Sequence, residues 1–229
     1  MHFARRALLP LTTMPEVGVC EDEDWNEPVD LFSADGAPLS TPKPDIAIGL
    51  KPSDPTNNAT SEQIHKILPM SEEFLEAIRL RKGLHPWPSL SIPDVAFPCF
   101  IFEAKSDSSV LFFAENQAAG GVAKALKILE GLEREFQEVG GTLEHPLPVI
   151  AACTQGALWE VLLGFRIGLE ANHCGIHLVQ LWLGQTTDKW GLLQLQIILA
   201  QIVLWISHTY RPKVEDMLER IRQSFPIHG

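Results

Sequence analysis

Short apolar runs, separated by proline, glycine and charged residues, predict the strands of this chain. The runs rich in Val, Ile, Leu and Phe cover 43–50, 97–105, 149–154, 158–166 and 176–183. Runs of this length and composition are typical of buried strands. Gln155-Gly156 separates two of them as a hairpin-like turn, and a further short strand is predicted over 110–113.

Amphipathic segments predict the helices. The segments 61–68 and 71–82 each begin with a serine cap followed by acidic residues. Gly83 and the proline cluster after it end the second segment. A long helix is predicted over 114–138, where one stripe is apolar, and helical structure is predicted from 188 onward, ending near 225. The order of these elements favours an α/β sandwich around a mixed sheet.

The chain divides by composition into an arm and a domain. Residues 1–40 combine proline and glycine with the acidic run 21–24, and they predict an irregular acidic arm with a short helix, lying partly on the core. Residues 41–229 are long enough for one domain with a single core. Two predicted helices separate the first two strands of this domain, which indicates a helical insertion at about 52–92.

Charge argues against a generic DNA-binding surface. The chain has 18 basic and 29 acidic residues, a formal charge of −11, whereas affinity for DNA comes mainly from neutralising phosphates. The acids are unevenly placed, because the first 60 residues hold ten acidic residues against four basic ones. A local basic surface on the remainder of the chain is therefore still compatible with the sequence.

Cysteine spacing and hydropathy favour an intracellular protein of the nucleus or cytoplasm. The four cysteines are far apart, and Cys99 and Cys153 lie in apolar runs typical of buried thiols. The apolar stretch near the N-terminus is too short for a secretory signal. The apolar run 192–206 is short for a membrane span and contains three glutamines, so it predicts a core element and no membrane partner.

Charged residues at the end of a buried strand are the strongest indication of chemistry. The run 97–105 ends in Glu103-Ala104-Lys105, and the period of two places Glu103 and Lys105 on one face. Neither charge stabilises a buried strand, because both lose water there. Asp45 heads another apolar strand, and Gln117 lies in the first turn of the long helix.

This combination resembles the PD-(D/E)XK nuclease superfamily over roughly residues 41–135 and, more narrowly, the nuclease-like domains common in filamentous fungi. The resemblance implies a restriction-endonuclease-like sandwich, with a central mixed sheet flanked by helices. It implies Mg²⁺, or Mn²⁺, held by Asp45, Glu103 and the backbone carbonyl of Ala104. Lys105 would hold the attacking water or stabilise transition-state charge, and Gln117 would orient Lys105 or a phosphate oxygen.

The predicted function is hydrolysis of phosphodiester bonds in nucleic acid, DNA rather than RNA, by a Mg²⁺-activated water. The basic residues of the predicted helix 71–82, extended by the long helix, form the predicted nucleic-acid surface: Arg79, Arg81, Lys82 and Lys124. The four tryptophans after the long helix (Trp159, Trp182, Trp190 and Trp205) are predicted to be core residues. A homodimer is compatible with the sequence.

Several alternatives stay open. Glu103 and Lys105 also fit a solvated ion pair, Asp45 a turn cap, and Gln117 an ordinary helix residue. The fold could then be a repurposed or inactive one that binds a small molecule or a protein, or an interaction module whose acidic arm docks on a basic partner.

Three further acids bear on the site. Asp94 follows a proline, but about 30 Å of extended chain separates it from Glu103, so it is predicted to be a turn residue. A third acidic ligand from the arm, Glu27 or Asp30, is left open.

Overall fold

A six-stranded sheet forms the centre of the fold, with the strands in the order of the chain. The computed structural model describes residues 2–26, 40–53, 68–167 and 175–224. The strands are β1 (Val17–Cys20), β2 (Ile46–Leu50), β3 (Ala96–Lys105), β4 (Val149–Gln155), β5 (Leu158–Ile167) and β6 (Gly175–Gln185). The helices are α1 (His2–Ala7), α2 (Leu9–Thr12), α3 (Glu72–Lys82), α4 (Leu111–Glu138), α5 (Lys189–Trp205) and α6 (Arg211–Ser224).

The sheet is mixed. β3 and β4 are parallel, because α4 carries the chain back across the sheet between them. All other neighbouring strands are antiparallel. The predicted α/β arrangement of a mixed sheet flanked by helices is confirmed.

Helices pack on both faces of the sheet. Gly121 of α4 lies against Ile101 of β3, which defines the α4 face. On the opposite face, the indole N–H of Trp182 in β6 donates to the side-chain oxygen of Gln194 in α5, at 3.3 Å. This second face is the α5 face. The side of α5 turned toward the sheet is buried, as expected for a helix that covers a core.

Local sequence explains several boundaries. The Ser71 hydroxyl accepts a hydrogen bond from the Phe74 amide at 3.3 Å, which caps α3 at its start. Gly83 ends α3 with a φ of 67°, and Gly156 turns the β4–β5 hairpin with a φ of 57°. Glycine is also required at position 49, where an added Cβ would lie 2.5 Å from the Ala96 carbonyl oxygen.

One prediction about local structure was wrong, and another is not tested. Residues 110–113 are not a strand, because α4 begins at Leu111 and Val110 is its N-cap. Leu111, Ala114 and Ala118 share one helical stripe that packs inward, and this packing extends the helix through the short apolar run. The predicted helix 61–68 lies almost wholly outside the described residues.

The N-terminal segment is more regular than predicted. Residues 2–26 contain α1, α2 and β1, and β1 adds an antiparallel strand beside β2. Leu8, Leu11 and Trp25 are fully buried. These anchors hold the segment on the core despite its acidic surface, because each buried side chain of this size contributes about 1.5–3 kcal/mol.

Among the described residues, one helix is long and apolar enough to cross a membrane by length and composition alone. It runs from Lys189 to Ser224 through α5, a π-helical turn (Ile206–Tyr210) and α6. The tryptophan prediction fails here at one position: Trp159 is buried in the core, but Trp190 is 66% exposed.

Candidate active site

Strand pairing brings Asp45 and Glu103 together. Ile46 of β2 is paired with Phe102 of β3, so the next antiparallel positions, Asp45 and Glu103, lie opposite one another. Residues directly opposite in neighbouring strands have side chains on the same face. The competing acid, Asp94, is in the turn that precedes β3, at the other end of that strand. The two predicted carboxylates therefore share one end of the sheet.

Glu103 is a buried acid whose proton is held tightly. Only 1% of the residue is exposed. Burial raises the pKa of its carboxyl to about 8, the charge of Asp45 adds to this increase, and the ammonium of Lys105 partly opposes both. The Lys105 Nζ lies 3.9 Å from a Glu103 carboxylate oxygen, so the two side chains do share a face as predicted.

Asp45 is fixed by the backbone of the Glu-x-Lys strand. Its Oδ2 accepts a hydrogen bond from the Ala104 amide at 2.6 Å. The N–H and C=O of one strand residue point to the same side, so the Ala104 carbonyl also faces the Asp45 side of β3. Two carboxylates and one carbonyl thus converge at the end of the β2–β3 pair.

This donor set suits a hard divalent cation. Mg²⁺ prefers oxygen ligands, and it binds through one or two carboxylates while keeping several waters. Within the described part of the chain, no cluster of three His, Cys, Asp or Glu side chains is arranged to hold a metal ion. Asp45, Glu103 and the Ala104 carbonyl would therefore hold an ion together with water or substrate oxygens.

A cleft opens beside Lys105. It has a volume of about 360 Å³, and Lys105 and Gln117 both line it. Lys43, Phe113 and Asn116 complete its polar and aromatic wall, together with residues 40–42 and Gly120. Phe113 in the first turn of α4 lines the cleft, so the positive end of the helix dipole lies beside it.

A second acidic pair lies next to Glu103 on the α4 face. Glu160 of β5 is paired with Cys153 of β4, which in turn is paired with Glu103. Glu160 is 6% exposed. Burial, together with a side-chain hydrogen bond shared with Glu115 of α4, raises its pKa to about 7. Two carboxyl groups can share such a bond only while one of them holds a proton.

The sequence left a third acid from the arm open, and the structure brings a different one near. The negative charge of Asp22 contributes to the raised pKa of Glu103. The Asp22 amide donates to the Pro44 carbonyl at 3.2 Å, and its φ of 53° is one that Asp tolerates. Glu27 and Asp30 lie outside the described residues.

The predicted nucleic-acid surface is wrong at Lys124 and is remote from the site. Lys124 is only 5% exposed, so a phosphate cannot reach it. Lys82 pairs with Glu135 at 3.4 Å, near the far end of α4. Eighteen residues of helix separate Glu135 from Gln117, which corresponds to about 27 Å.

The other two members of the predicted surface stay with Lys82 on α3. Arg79 forms a double hydrogen bond with Glu76 on its own helix. Arg81 is exposed near the end of α3. This basic group cannot touch a phosphate that lies at Lys105.

Residues that sequence reasoning missed surround the cleft. Phe112 and Phe113 are each 57% exposed at the start of α4, and Phe113 lines the cleft. Both residues fall in the strand predicted over 110–113, so they were not considered as part of a binding site. Lys43 stands two residues before Asp45, and this short spacing could have identified it. Glu160 is a lone acid in an apolar strand, the same kind of pattern that identified Glu103.

The fold and this site define an α/β protein with paired carboxylates and a lysine at one end of a mixed sheet. The chain belongs to the family described as the domain of unknown function DUF7924, which matches residues 13–145, more than half of the chain. All four predicted catalytic residues lie within the match, whereas β4 to β6, α5 and α6 lie beyond it. No curated protein and no solved structure matches this chain.

Replacing Glu103 by glutamine should stabilise the metal-free protein at alkaline pH. Between pH 4.5 and about 8 the folded protein keeps the Glu103 proton and the unfolded chain loses it. This group therefore makes the folded state progressively less stable as pH rises through that window. Since a glutamine at this position does not titrate, Glu103→Gln should raise Tm at pH 8.5 by at least about 3 °C, which is roughly 1 kcal/mol for this size.

Thermal unfolding in a chelator at pH 5 and pH 8.5 measures this effect. Glu144→Gln is the matched control, because the Glu144 side chain is 90% exposed and its replacement should leave Tm unchanged. An equal Tm for Glu103→Gln and wild type at pH 8.5 would show that Glu103 carries no such penalty.

Proposed function

We propose that this protein is a divalent-metal-dependent nuclease, and that its α/β sheet is of the PD-(D/E)XK type. The observation that carries the proposal is the position of Asp45 beside Glu103, one residue beyond the last β2–β3 pair, with Lys105 on the same face as Glu103. Buried acids facing one another destabilise a fold unless a cation or a proton compensates them. Neighbouring buried acids that destabilise the fold in this way are typical of a functional site.

The residues of the site match the needs of phosphodiester hydrolysis. A bound Mg²⁺ or Mn²⁺ neutralises phosphate charge and makes a bound water more acidic. Asp45, Glu103 and the Ala104 carbonyl would hold the ion through their oxygens, and Lys105 would stabilise the negative charge that develops on the phosphate. Gln117 lies in the second turn of α4, which begins at Leu111 and not at the predicted 114, and it lines the same cleft as Lys105. Its side-chain amide offers a hydrogen-bond donor to a phosphate oxygen there.

The bond changes follow from this placement. The water oxygen forms a bond to phosphorus while the bond to the leaving sugar oxygen breaks. One water proton passes to solvent, and a proton from solvent completes the leaving hydroxyl. In this scheme Lys105 acts through its charge and takes no part in the proton transfers.

Phe113 supports nucleic acid as the substrate class, with DNA ahead of RNA as the first substrate to test. An exposed aromatic ring beside a phosphate site offers a surface on which a base can stack, and such stacking is tolerant of sequence. The ring lines the same cleft as Lys105 and Gln117. A phosphate and its neighbouring base could therefore be bound together.

A second candidate is a nuclease-like fold that has been repurposed to bind a small molecule or a protein. The specific observation behind it is the distance of Lys82 and its basic neighbours from the cleft, in a chain with a net charge of −11. Duplex DNA would then find few phosphate contacts near Lys105.

An intracellular location is part of the proposal. Cys20, Cys99 and Cys153 are buried and unpaired, as thiols are in a reducing compartment.

Loss of the Lys105 charge should abolish most of the cleavage. Purified protein, incubated with Mg²⁺ or Mn²⁺ and with single-stranded DNA, duplex DNA or RNA, should cleave at least one of them. Lys105→Met and Asp45→Asn should each reduce the rate by about 100-fold or more, because they remove transition-state stabilisation or an ion ligand. A quenched-fluorophore oligonucleotide provides the measurement.

Lys51→Met is the matched control for this experiment, because Lys51 is exposed and follows β2 at the end opposite Asp45. Its rate should equal that of the wild type. No cleavage by wild type, or equal cleavage by Lys105→Met, would favour the repurposed fold.

Removing the Phe113 ring should weaken nucleic-acid binding. Loss of one stacked base costs about 1–3 kcal/mol, so Phe113→Ala should lower affinity roughly 5- to 150-fold, and Phe113→Tyr should restore it. Phe112→Ala is the control, because Phe112 is equally exposed but does not line the cleft. Fluorescence anisotropy in Ca²⁺ measures binding, and equal losses for both alanine variants would exclude a specific stacking role.

A further inference from the structure

α5 is apolar on both of its sides. Its buried stripe (Leu195, Leu199 and Ile202) faces the sheet. On the opposite side a second stripe is exposed, formed by Trp190, Leu193, Ile197 and Leu204. These positions recur at helical spacing over about 21 Å. A helix that is hydrophobic all round is normally covered on both sides.

Strand β6 continues this exposed surface. It is the last strand of the sheet, and its outer edge has no strand partner among the described residues. Val179 is paired with Leu163 and so lies on the α5 face, and Leu181 is the extra residue where the β5–β6 register shifts. Both are about half exposed. The Trp182–Gln194 hydrogen bond joins the strand to the helix, so the exposed side chains of β6 and α5 belong to neighbouring elements.

The apolar surface is formed by several large side chains. Six large side chains from α5 and β6 are each about half exposed or more. The largest patch on a typical monomer covers roughly 300–600 Å², and a standard interface covers about 800 Å² per partner. The outer side of a helix about 25 Å long, with the neighbouring strand, provides an area of that order.

Charge favours a second copy of this chain as the occupant. No Asp, Glu, Lys or Arg occurs from Trp190 to Tyr210, although the whole chain has a net charge of −11. Two copies would repel one another across their acidic surfaces but not across this one. A helix that lies on a lipid surface carries Lys and Arg on its polar face, and α5 offers only Lys189 at its start.

We propose that the protein forms a symmetric homodimer through the outer stripe of α5 and strand β6. A two-fold axis matches such a surface to itself, since each copy presents the same neutral, apolar helix and the same open strand edge. The candidate active site lies on the α4 face, so the dimer leaves both clefts open. The interface therefore does not depend on what the cleft binds.

Analytical ultracentrifugation of the full chain tests this interface. The wild type should sediment as a dimer. Ile197→Glu places a charge in the centre of the stripe and should raise the dissociation constant by about 100-fold or more, because an unpaired charge resists burial. Leu193→Arg should act in the same way, and circular dichroism of both variants should show unchanged helix content.

Leu80→Glu is the matched control. Leu80 is 70% exposed on α3, away from the proposed interface, so its variant should remain dimeric. A monomeric wild type at every concentration would overturn the proposal, as would a dimer that Ile197→Glu and Leu193→Arg leave intact. Flotation of a monomeric wild type with phosphatidylcholine vesicles would instead assign the stripe to a lipid surface.

Discussion

The antiparallel pairing of β2 with β3 is the constraint on which the candidate site depends. One residue beyond the last pair, Asp45 and Glu103 face each other at the end of the sheet, and the Ala104 amide holds the Asp45 carboxylate there. Shifting this register by one residue would turn Asp45 to the opposite face. Because β2 and β3 are buried in the core, the register is fixed by packing far from the acids themselves.

The two faces of the sheet have different chemistry. The α4 face carries Glu103, Lys105 and Glu160 beneath a helix whose first turns border a polar cleft. The α5 face is covered by a helix that remains apolar on its outer side. Acids of different strands are thereby gathered at one place, and the apolar surface is kept away from it. This separation would let the proposed hydrolytic site and the proposed subunit interface coexist in one small domain.

Local pattern was sufficient to predict the elements that carry the site. Each of three elements can be recognised within about ten residues of sequence. They are the apolar run ending in Glu-x-Lys, the strand headed by Asp45 and the helix containing Gln117. Helix caps at Ser71 and Gly83 were equally visible. These features depend on short-range physics: side-chain periodicity, capping and the cost of burying charge.

Tertiary packing determines the features that the sequence analysis missed, and local sequence patterns do not predict this packing. Lys124 looked like a surface residue, but it lies on a part of α4 that packs against the core. The basic end of α3 lies near Glu135 of α4, where Lys82 forms an ion pair. The sequence around Lys82 does not predict this long-range contact. Glu115 lies near the start of α4, and its contact with Glu160 exists only because α4 crosses β5.

Anomalous scattering from a crystal soaked in Mn²⁺ tests most directly whether the paired acids form a metal centre. The account predicts one strong peak within about 2.5 Å of oxygens from Asp45, Glu103 and the Ala104 carbonyl. Soaked crystals of Asp45→Asn should lack it. Wild-type density that shows no manganese between these residues, or shows it only at other surface acids, would contradict the account.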